Sequence, residues 1–189
     1  MKDTGHSAAD RRGQIGRKMQ DDLDDAMDWA VAEGIADKSR VCVVGGSYGG
    51  YAALWAVTRN PERYRCAASW AGVTDWRNML KYDRRYLSRS TNKRWRSEVL
   101  GEAEIKTLDE VSPMRLGATL SRPVLLAHGD KDARVPFKQF KQMRDAAEDT
   151  GKLTLLHIEG EGHSFSEKEN EKAWYDALIA FLAMHNPAD

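Results

Sequence analysis

A single serine lies among four glycines in the stretch VCVVGGSYGGYAAL, residues 41–54. The five residues from Gly45 to Gly49 match G-x-S-x-G, the pattern of a serine nucleophile on a sharp strand-to-helix turn. At such a turn glycines let the strand and the helix pass closely, and the serine hydroxyl projects from the top of the sheet. The chemistry indicated is attack on an acyl carbon, with the next backbone N–H facing the reacting oxygen.

Two other interpretations compete for this motif. It could be a glycine-rich turn whose serine does no chemistry. A phosphate-binding loop would close on Lys followed by Ser or Thr, and that pair is missing here. The strand-like run before Ser47 and the helix-like run after it favour the nucleophile.

A serine hydroxyl needs a base, and this turn predicts the order Ser, then Asp or Glu, then His. Of the five histidines, His163 lies in EGEGHSF, on a glycine-flanked loop after the last predicted strand. His128 and His157 fall within or at the end of predicted strands and are interpreted as core histidines. His163 is therefore the predicted base.

The acid is expected on the loop after the third predicted strand. LLAHGDKDARVP offers Asp130 and Asp132 there. A carboxylate at this place would hold the imidazole tautomer and stabilise the imidazolium. The competing interpretation is that both are solvated turn residues.

Strands alternate with helices along the chain. This pattern predicts a mostly parallel sheet covered by helices on both faces. The long, aromatic and basic segment 75–113 is expected above the carboxyl ends of the strands, where α/β proteins bind ligands. The predicted strands cover residues 40–45, 65–73, 122–129 and 152–160, and the predicted helices cover 17–34, 48–59, a segment opened by Pro136 and a closing segment around 173–182.

Composition limits the classes of function. The chain has 189 residues, enough for one domain, and its 29 basic and 29 acidic residues cancel. This balance gives no drive toward nucleic acid or anionic lipid. No apolar run approaches about 18 residues and the start is not a secretory signal, so no membrane contact and a cytoplasmic location are expected.

The sequence also gives three expectations about order, cysteines and metal binding. Residues 1–16 are polar and are predicted to be poorly ordered. Cys42 and Cys66 are interpreted as small core hydrophobes, with a disulfide between them open but weakly supported. No Cys/His cluster has the spacing of a metal site, so neither a metal nor a cofactor is expected.

Three segments together resemble one family. GGSYGGY, VLLAHGDKDARVPFKQ and EGHSF are similar to the nucleophile, acid and histidine segments of the serine peptidases of the prolyl oligopeptidase family. GRKMQDDLDDAMDWAVAEGIAD resembles the helix that precedes the nucleophile in that family. The similarity covers nearly the whole chain and implies an α/β-hydrolase catalytic domain that cleaves short peptides through an acyl-enzyme.

The resemblance also implies roles for single residues. Ser47 is the nucleophile, His163 the base and Asp132, rather than Asp130, the acid. The backbone N–H of Tyr48 contributes to the oxyanion hole.

Four further residues match substrate-binding positions of the family. Val73, Trp76 and Val135 match the hydrophobic pocket for the residue before the cleaved bond, and Arg134 matches a contact to the substrate backbone. Ordinary packing under the loop is the competing interpretation for Trp76 and Val135.

The chain also departs from the family pattern. A β-propeller, the strands that precede the nucleophile and an upstream tyrosine oxyanion donor have no counterpart here. Residues 1–189 are therefore expected to form one truncated α/β-hydrolase domain with slow turnover. The strand before Ser47 is expected to be an edge strand that joins copies of the chain into a homo-oligomer at or near residues 41–44. Whether the chain is a natural short protein or a piece of a longer one stays open.

Three rival functions remain beside the peptidase. A carboxylesterase uses the same triad, and a catalytically weak or inactive remnant would keep the residues without the activity. A nucleic-acid module is suggested by the basic residues interleaved with aromatics between 77 and 96, but the rest of the chain offsets their charge. A peptide substrate is therefore favoured over nucleic acid.

Overall fold

A four-stranded parallel sheet in the order β1-β2-β3-β4 organises the computed structural model, which describes residues 12–188. Each strand pairs with the next strand along the chain, so all four carboxyl ends lie at one edge of the sheet. The strands are β1 Cys42–Gly46, β2 Cys66–Trp70, β3 Val124–Gly129 and β4 Leu153–Ile158.

Residues 12–188 also contain six α-helices. The α2 helix begins and ends where the sequence predicted, and α5 begins two residues after Pro136. The helices are α1 Lys18–Ala32, α2 Tyr48–Arg59, α3 Trp76–Asp83, α4 Arg89–Leu100, α5 Lys138–Ala147 and α6 Lys168–His185. Two short 3₁₀ segments, Ile105–Val111 and Pro113–Thr119, connect α4 to β3.

Helices cover both faces of the sheet, which confirms the predicted α/β class. One face packs against α1, α2 and α5 through a cluster that includes Met27, Leu54 and Met143. The other face packs against α6 through Trp174 and Phe181. A third apolar cluster joins α2 to α3 and α4, above the carboxyl ends of the strands, as predicted for segment 75–113.

The buried side of α1 differs from the predicted apolar stripe. Leu23, a predicted stripe residue, is 42% exposed, whereas Asp24 is buried. Asp24 is tolerated there because its carboxylate accepts hydrogen bonds from Tyr64 Oη at 2.5 Å and Asn60 Nδ2 at 2.8 Å.

The segment before α1 is partly outside the described residues. The expectation of poor order for residues 1–16 falls partly on residues 1–11, which lie outside the described residues, while residues 12–16 pack against the rest of the chain. Ile15 is buried, the Gly13 N–H donates to Glu98 O at 2.9 Å, and Trp55 Nε1 donates to Gly16 O at 2.8 Å.

The two cysteines form a disulfide, so their interpretation as separate core hydrophobes is wrong. Cys42 and Cys66 are register partners on β1 and β2, and their Cα atoms are 4.7 Å apart. Neighbouring positions on paired strands bring two thiols within bonding reach, and strand register is not visible in the spacing of two cysteines.

Within the described residues the strand before Ser47 is an edge strand, as expected from the missing upstream strands. Val44 is 46% exposed because β1 has β2 on one side only within the described part of the chain. β2 and β3, in the middle, are buried at every position.

Neither a membrane span nor a metal cluster is present in the described residues. Between residues 12 and 188 no helix is both long and apolar enough to cross a membrane. The same residues contain no group of three or more His, Cys, Asp or Glu side chains that could hold a metal ion.

Candidate active site

Ser47 lies on a sharp turn between β1 and α2. Its φ of 56° and ψ of −119° place it in a backbone region that residues with a side chain rarely adopt. Gly45 makes this turn possible, because a Cβ there would lie 2.4 Å from the backbone carbonyl of Gly49. The local sequence thus forms the strained strand-to-helix turn that G-x-S-x-G predicts.

The turn also presents backbone donors. The Ser47 N–H donates a hydrogen bond to Trp70 O at 2.8 Å, which holds the turn against β2. Tyr48 is the first residue of α2, and the first N–H groups of a helix have no acceptor within it. These N–H groups and the helix dipole favour negative charge beside Ser47.

Asp132 and His163 are in direct contact. His163 Nδ1 lies 2.7 Å from Asp132 Oδ2, and the other carboxylate oxygen accepts the N–H groups of Arg134 and Val135 at 2.8 Å each. A carboxylate only accepts hydrogen bonds, so Nδ1 carries the hydrogen and Nε2 is left free to take a proton.

The Asp132 carboxylate is held in its charged form. Burial alone would raise its pKa, but hydrogen bonds from His128, His163 and the Val135 N–H outweigh burial and lower the pKa below its ordinary value. The side chain is inaccessible to solvent, whereas that of His163 is 21% exposed.

His128 belongs to the same network, which the sequence did not predict. It is buried, as expected of a core histidine, but its Nε2 lies 2.9 Å from Val135 O and 3.3 Å from Asp132 Oδ2. Both neighbours are acceptors, so Nε2 carries the hydrogen, and Nδ1 has no partner among residues 12–188. Its position four residues before Asp132 is a sequence signal that could have placed it here.

Asp130 and His157 take other positions. Asp130 accepts the Gly160 N–H at 2.8 Å, which lowers the pKa of its carboxyl, and lies 3.5 Å from His157 Nε2. The interpretation of His157 as a core histidine is wrong: its side chain is 45% exposed because β4 is the other edge strand.

Two further residues that sequence reasoning missed hold the loop of His163. Glu161 is fully buried and accepts the N–H groups of Gly162 and Ser166, the Ser166 hydroxyl and Asn170 Nδ2. Trp70 Nε1 donates to His163 O at 3.0 Å. An acidic residue two positions before His163 and a tryptophan at a strand end were the available signals.

Ser47, Asp132 and His163 follow β1, β3 and β4, so they lie at the same edge of the parallel sheet. The Asp132 carboxylate and the His163 ring are joined by a hydrogen bond. Among the hydrogen bonds of residues 12–188, none joins the Ser47 hydroxyl to the His163 ring.

A cavity of about 410 Å³ opens beside Ser47. All four residues expected to bind substrate line it, together with Ser47, Tyr48 and the aromatic side chains of α3 and α4. The four are Val73, Trp76, Arg134 and Val135.

The cavity wall is supported by buried polar side chains. Gln139 Oε1 accepts the N–H groups of Thr74 and Asp75, at 2.8 and 2.7 Å, and Ser112 Oγ accepts the Trp76 N–H at 3.0 Å. The Gln139 bonds fix the turn that carries Val73 and Trp76 to α5, and the Ser112 bond fixes it to the junction of the two 3₁₀ segments.

Curated peptidases are similar in sequence to most of this chain. Dipeptidyl aminopeptidase BIII of Pseudoxanthomonas mexicana is 32% identical over 175 residues, covering 90% of this chain and 25% of that protein. Acylamino-acid-releasing enzyme of Homo sapiens is 27% identical over 185 residues, covering 92% of this chain and 24% of that protein. The chain therefore spans about a quarter of the length of the curated relatives it matches.

Solved structures are also similar to this chain. A puromycin-hydrolyzing peptidase of Mycobacterium tuberculosis superposes with a TM-score of 0.84 at 26% identity, covering 96% of this chain and 27% of that one. The sequence model described as the prolyl oligopeptidase family matches residues 5–186. This match takes in the strained turn at Ser47 and the Asp132–His163 pair alike, and the chain belongs to the prolyl oligopeptidase family.

Proposed function

We propose that this chain is a serine peptidase that hydrolyses short peptides through an acyl-enzyme. The observation that carries the proposal is the 2.7 Å contact between Asp132 and His163, at the edge of the sheet where Ser47 projects from its strained turn. Family membership supports hydrolysis, and two relatives are named for dipeptidyl and acylamino-acid release.

The reaction begins with attack of Ser47 Oγ on the carbonyl carbon of the peptide bond, while His163 Nε2 accepts the hydroxyl proton. Asp132 keeps the hydrogen on Nδ1 and stabilises the charged ring. The Tyr48 N–H donates to the negative oxygen of the tetrahedral intermediate. The hydrogen bond from Ser47 to His163 forms with substrate in place, since such bonds are often absent without it.

The intermediate collapses when the C–N bond breaks and His163 returns its proton to the leaving amine. The acyl group is then held by Ser47 as an ester. Water attacks this ester, His163 takes a proton from the water, and the acid is released as Ser47 recovers its proton.

Substrate is bound by the cavity next to Ser47. Val73, Trp76 and Val135 contact the side chain before the cleaved bond, and Arg134 contacts the substrate backbone. These four line one cavity with the nucleophile, which supports this assignment over packing alone.

The experiment is labelling with a fluorophosphonate probe, followed by hydrolysis of a peptide anilide. We expect the parent chain to be labelled and Ser47→Ala to lose both labelling and hydrolysis. Ser97→Ala removes an exposed hydroxyl of α4 and is expected to behave as the parent.

The outcomes separate the rival functions. Labelling of Ser47→Ala would show that another residue is the nucleophile. An unlabelled parent would indicate an inactive remnant, and turnover of an ester but not of the anilide with the same acyl group would indicate a carboxylesterase.

A further inference from the structure

The cavity next to Ser47 contains a carboxylate that the hydrolytic reaction does not use. Asp83, the last residue of α3, lines this cavity. Around it the wall is aromatic, formed by the rings of Tyr48, Trp76, Tyr82, Tyr86 and Trp95. In a cavity that binds only apolar side chains, a partly buried charge in the wall would cost free energy without any compensating interaction.

One carboxylate oxygen of Asp83 accepts a hydrogen bond from the protein, and the carboxylate has no ion-pair partner among the described residues. Trp95 Nε1 donates to Asp83 Oδ2 at 2.7 Å. Within the described part of the chain, no cation lies within ion-pair distance of this carboxylate. Arg134 lines the same cavity and acts on Asp83 only at longer range.

Asp83 has also lost hydration. Asp83 is partly buried, and burial raises the pKa of its carboxyl despite the Trp95 hydrogen bond and the charge of Arg134. A cation entering the cavity would restore the interactions that the carboxylate has lost to burial.

The rest of the wall suits the same ligand. Aromatic faces attract ammonium and guanidinium groups, and desolvated rings do so most strongly. Tyr82 and Tyr86 are 4.6 Å apart between ring centroids, and Tyr82 Oη donates to Ala133 O at 2.7 Å, which holds this part of the wall against the loop of the acid. A carboxylate within an aromatic wall is an arrangement that recognises organic cations.

We propose that Asp83 makes this cavity selective for a basic side chain, that of lysine or arginine, at the residue before the cleaved bond. The carbon chain of that residue lies against Trp76 and Val135, and its cationic end meets Asp83. This inference rests on the proposed peptidase function, because the same cavity opens at Ser47.

The test uses peptide anilides that differ only at the residue before the cleaved bond. That residue is lysine, phenylalanine or norleucine, which has the lysine carbon chain without the ammonium group. We expect kcat/KM for lysine to exceed that for norleucine roughly 10- to 100-fold, as for a hydrogen bond to a charged group out of water. In Asp83→Asn, which keeps an acceptor for Trp95, this ratio is expected to fall to about one.

Two controls accompany this variant. Asp145→Asn removes an exposed carboxylate of α5 far along the chain from the cavity and is expected to keep the lysine preference. Asp83→Glu keeps the charge and is expected to retain a lysine-to-norleucine ratio above one. Equal rates for lysine and norleucine in the parent, or an unchanged ratio in Asp83→Asn, would overturn the proposal.

The free amino terminus of a peptide is a second source of the same cation. Acetylating each peptide removes that charge and leaves the lysine side chain. We expect the lysine preference to persist after acetylation. If hydrolysis instead depends on the free amino terminus and on Asp83, and is equal for lysine and norleucine, Asp83 recognises the amino terminus and the proposal is overturned.

Binding measurements keep this test independent of catalysis. Ser47→Ala is titrated with the acetylated lysine and norleucine peptides by calorimetry, with and without Asp83→Asn. Tighter binding of the lysine peptide that depends on Asp83 would support the cavity assignment even where the parent hydrolyses nothing. Equal binding of the two peptides would refute it.

Discussion

Asp132 connects the ring of His163 to the cavity wall. One of its carboxylate oxygens contacts the rings of His163 and His128, and the other accepts the N–H groups of Arg134 and Val135, whose side chains line the cavity. Loss of this carboxylate would therefore disturb ring orientation and substrate binding together.

We expect Asp132→Asn to lower kcat on the order of 10³- to 10⁴-fold, because an amide cannot hold the required imidazole tautomer or stabilise the charged ring. Peptide anilide hydrolysis at pH 7 measures the loss. Asp130→Asn is the matched control, two positions away on the same loop, and should lose far less. A larger loss in Asp130→Asn would make Asp130 the acid.

The segment between β4 and α6 is the element that places His163. Glu161 holds it from within, and the rings of Trp70 and Phe165 pack with centroids 4.3 Å apart. The segment also approaches β3 closely, because a Cβ at Gly129 would lie 2.3 Å from Glu161 O. The loop is therefore a packed element whose position depends on one buried carboxylate.

Low pH should destabilise the segment that places His163. Burial alone would raise the pKa of Glu161, but hydrogen bonds from Asn170, the Gly162 N–H and Ser166 lower it from 4.5 to about 2. An unfolded glutamate takes up its proton near pH 4.5 and the folded one near pH 2, so protonation favours the unfolded state between these values. The stabilising contribution is complete above about pH 4.5 and is lost as the pH falls through about 2.

We expect Glu161→Gln to lower the free energy of unfolding at pH 7 by about 1–3 kcal/mol, because the amide leaves buried donors without an acceptor. The variant should also lose less stability than the parent between pH 4.5 and 2.5. Urea unfolding followed by circular dichroism measures both effects. Glu159→Gln, an exposed glutamate two positions earlier, should follow the parent, and identical acid sensitivity in Glu161→Gln would contradict the assigned role.

The whole molecule has two exposed sheet edges in its described part, β1 and β4. Val41 O accepts the Arg65 N–H and the Ser47 N–H donates to Trp70 O, each at 2.8 Å, so alternate residues of β1 face β2. The N–H and C=O groups of Cys42, Val44 and Gly46 then face away from β2. β1 carries no charge or proline that would block pairing with another strand.

We expect the purified chain to self-associate through β1, since pairing would satisfy these groups and cover Val44. Light scattering should report a mass at least twice the 21.3 kDa of one chain. Val44→Lys should return it to one chain, because lysine on an edge strand opposes pairing. Leu155→Lys, at a 45% exposed position on β4, is the matched control, and a shift in mass with Leu155→Lys alone would assign the contact to β4.

Local patterns were enough to predict most of the fold. The glycines around Ser47, the alternation of strands and helices and the order of the loops each depend on neighbours along the chain, so α2 and the four strands could be placed within a few residues. The same patterns predicted that Ser47, His163 and either Asp130 or Asp132 follow strands at one edge of the sheet, and the choice of Asp132 rested on the family resemblance. For these features, steric limits and periodicity act over short stretches and can be read in the sequence.

Contacts between distant segments could not be read in this way. The Cys42–Cys66 bond depends on strand register. The exposure of Val44 and His157 depends on which strands lie at the edges of the sheet. The position of Asp83 in the cavity depends on how α3 and α4 pack over Ser47. Each is set by packing of elements that lie far apart in the chain, and a charged residue has the same local pattern whether it faces solvent or an aromatic cavity. The fold and the strained turn at Ser47 are therefore properties of local sequence, while the surroundings of each side chain are set by tertiary packing.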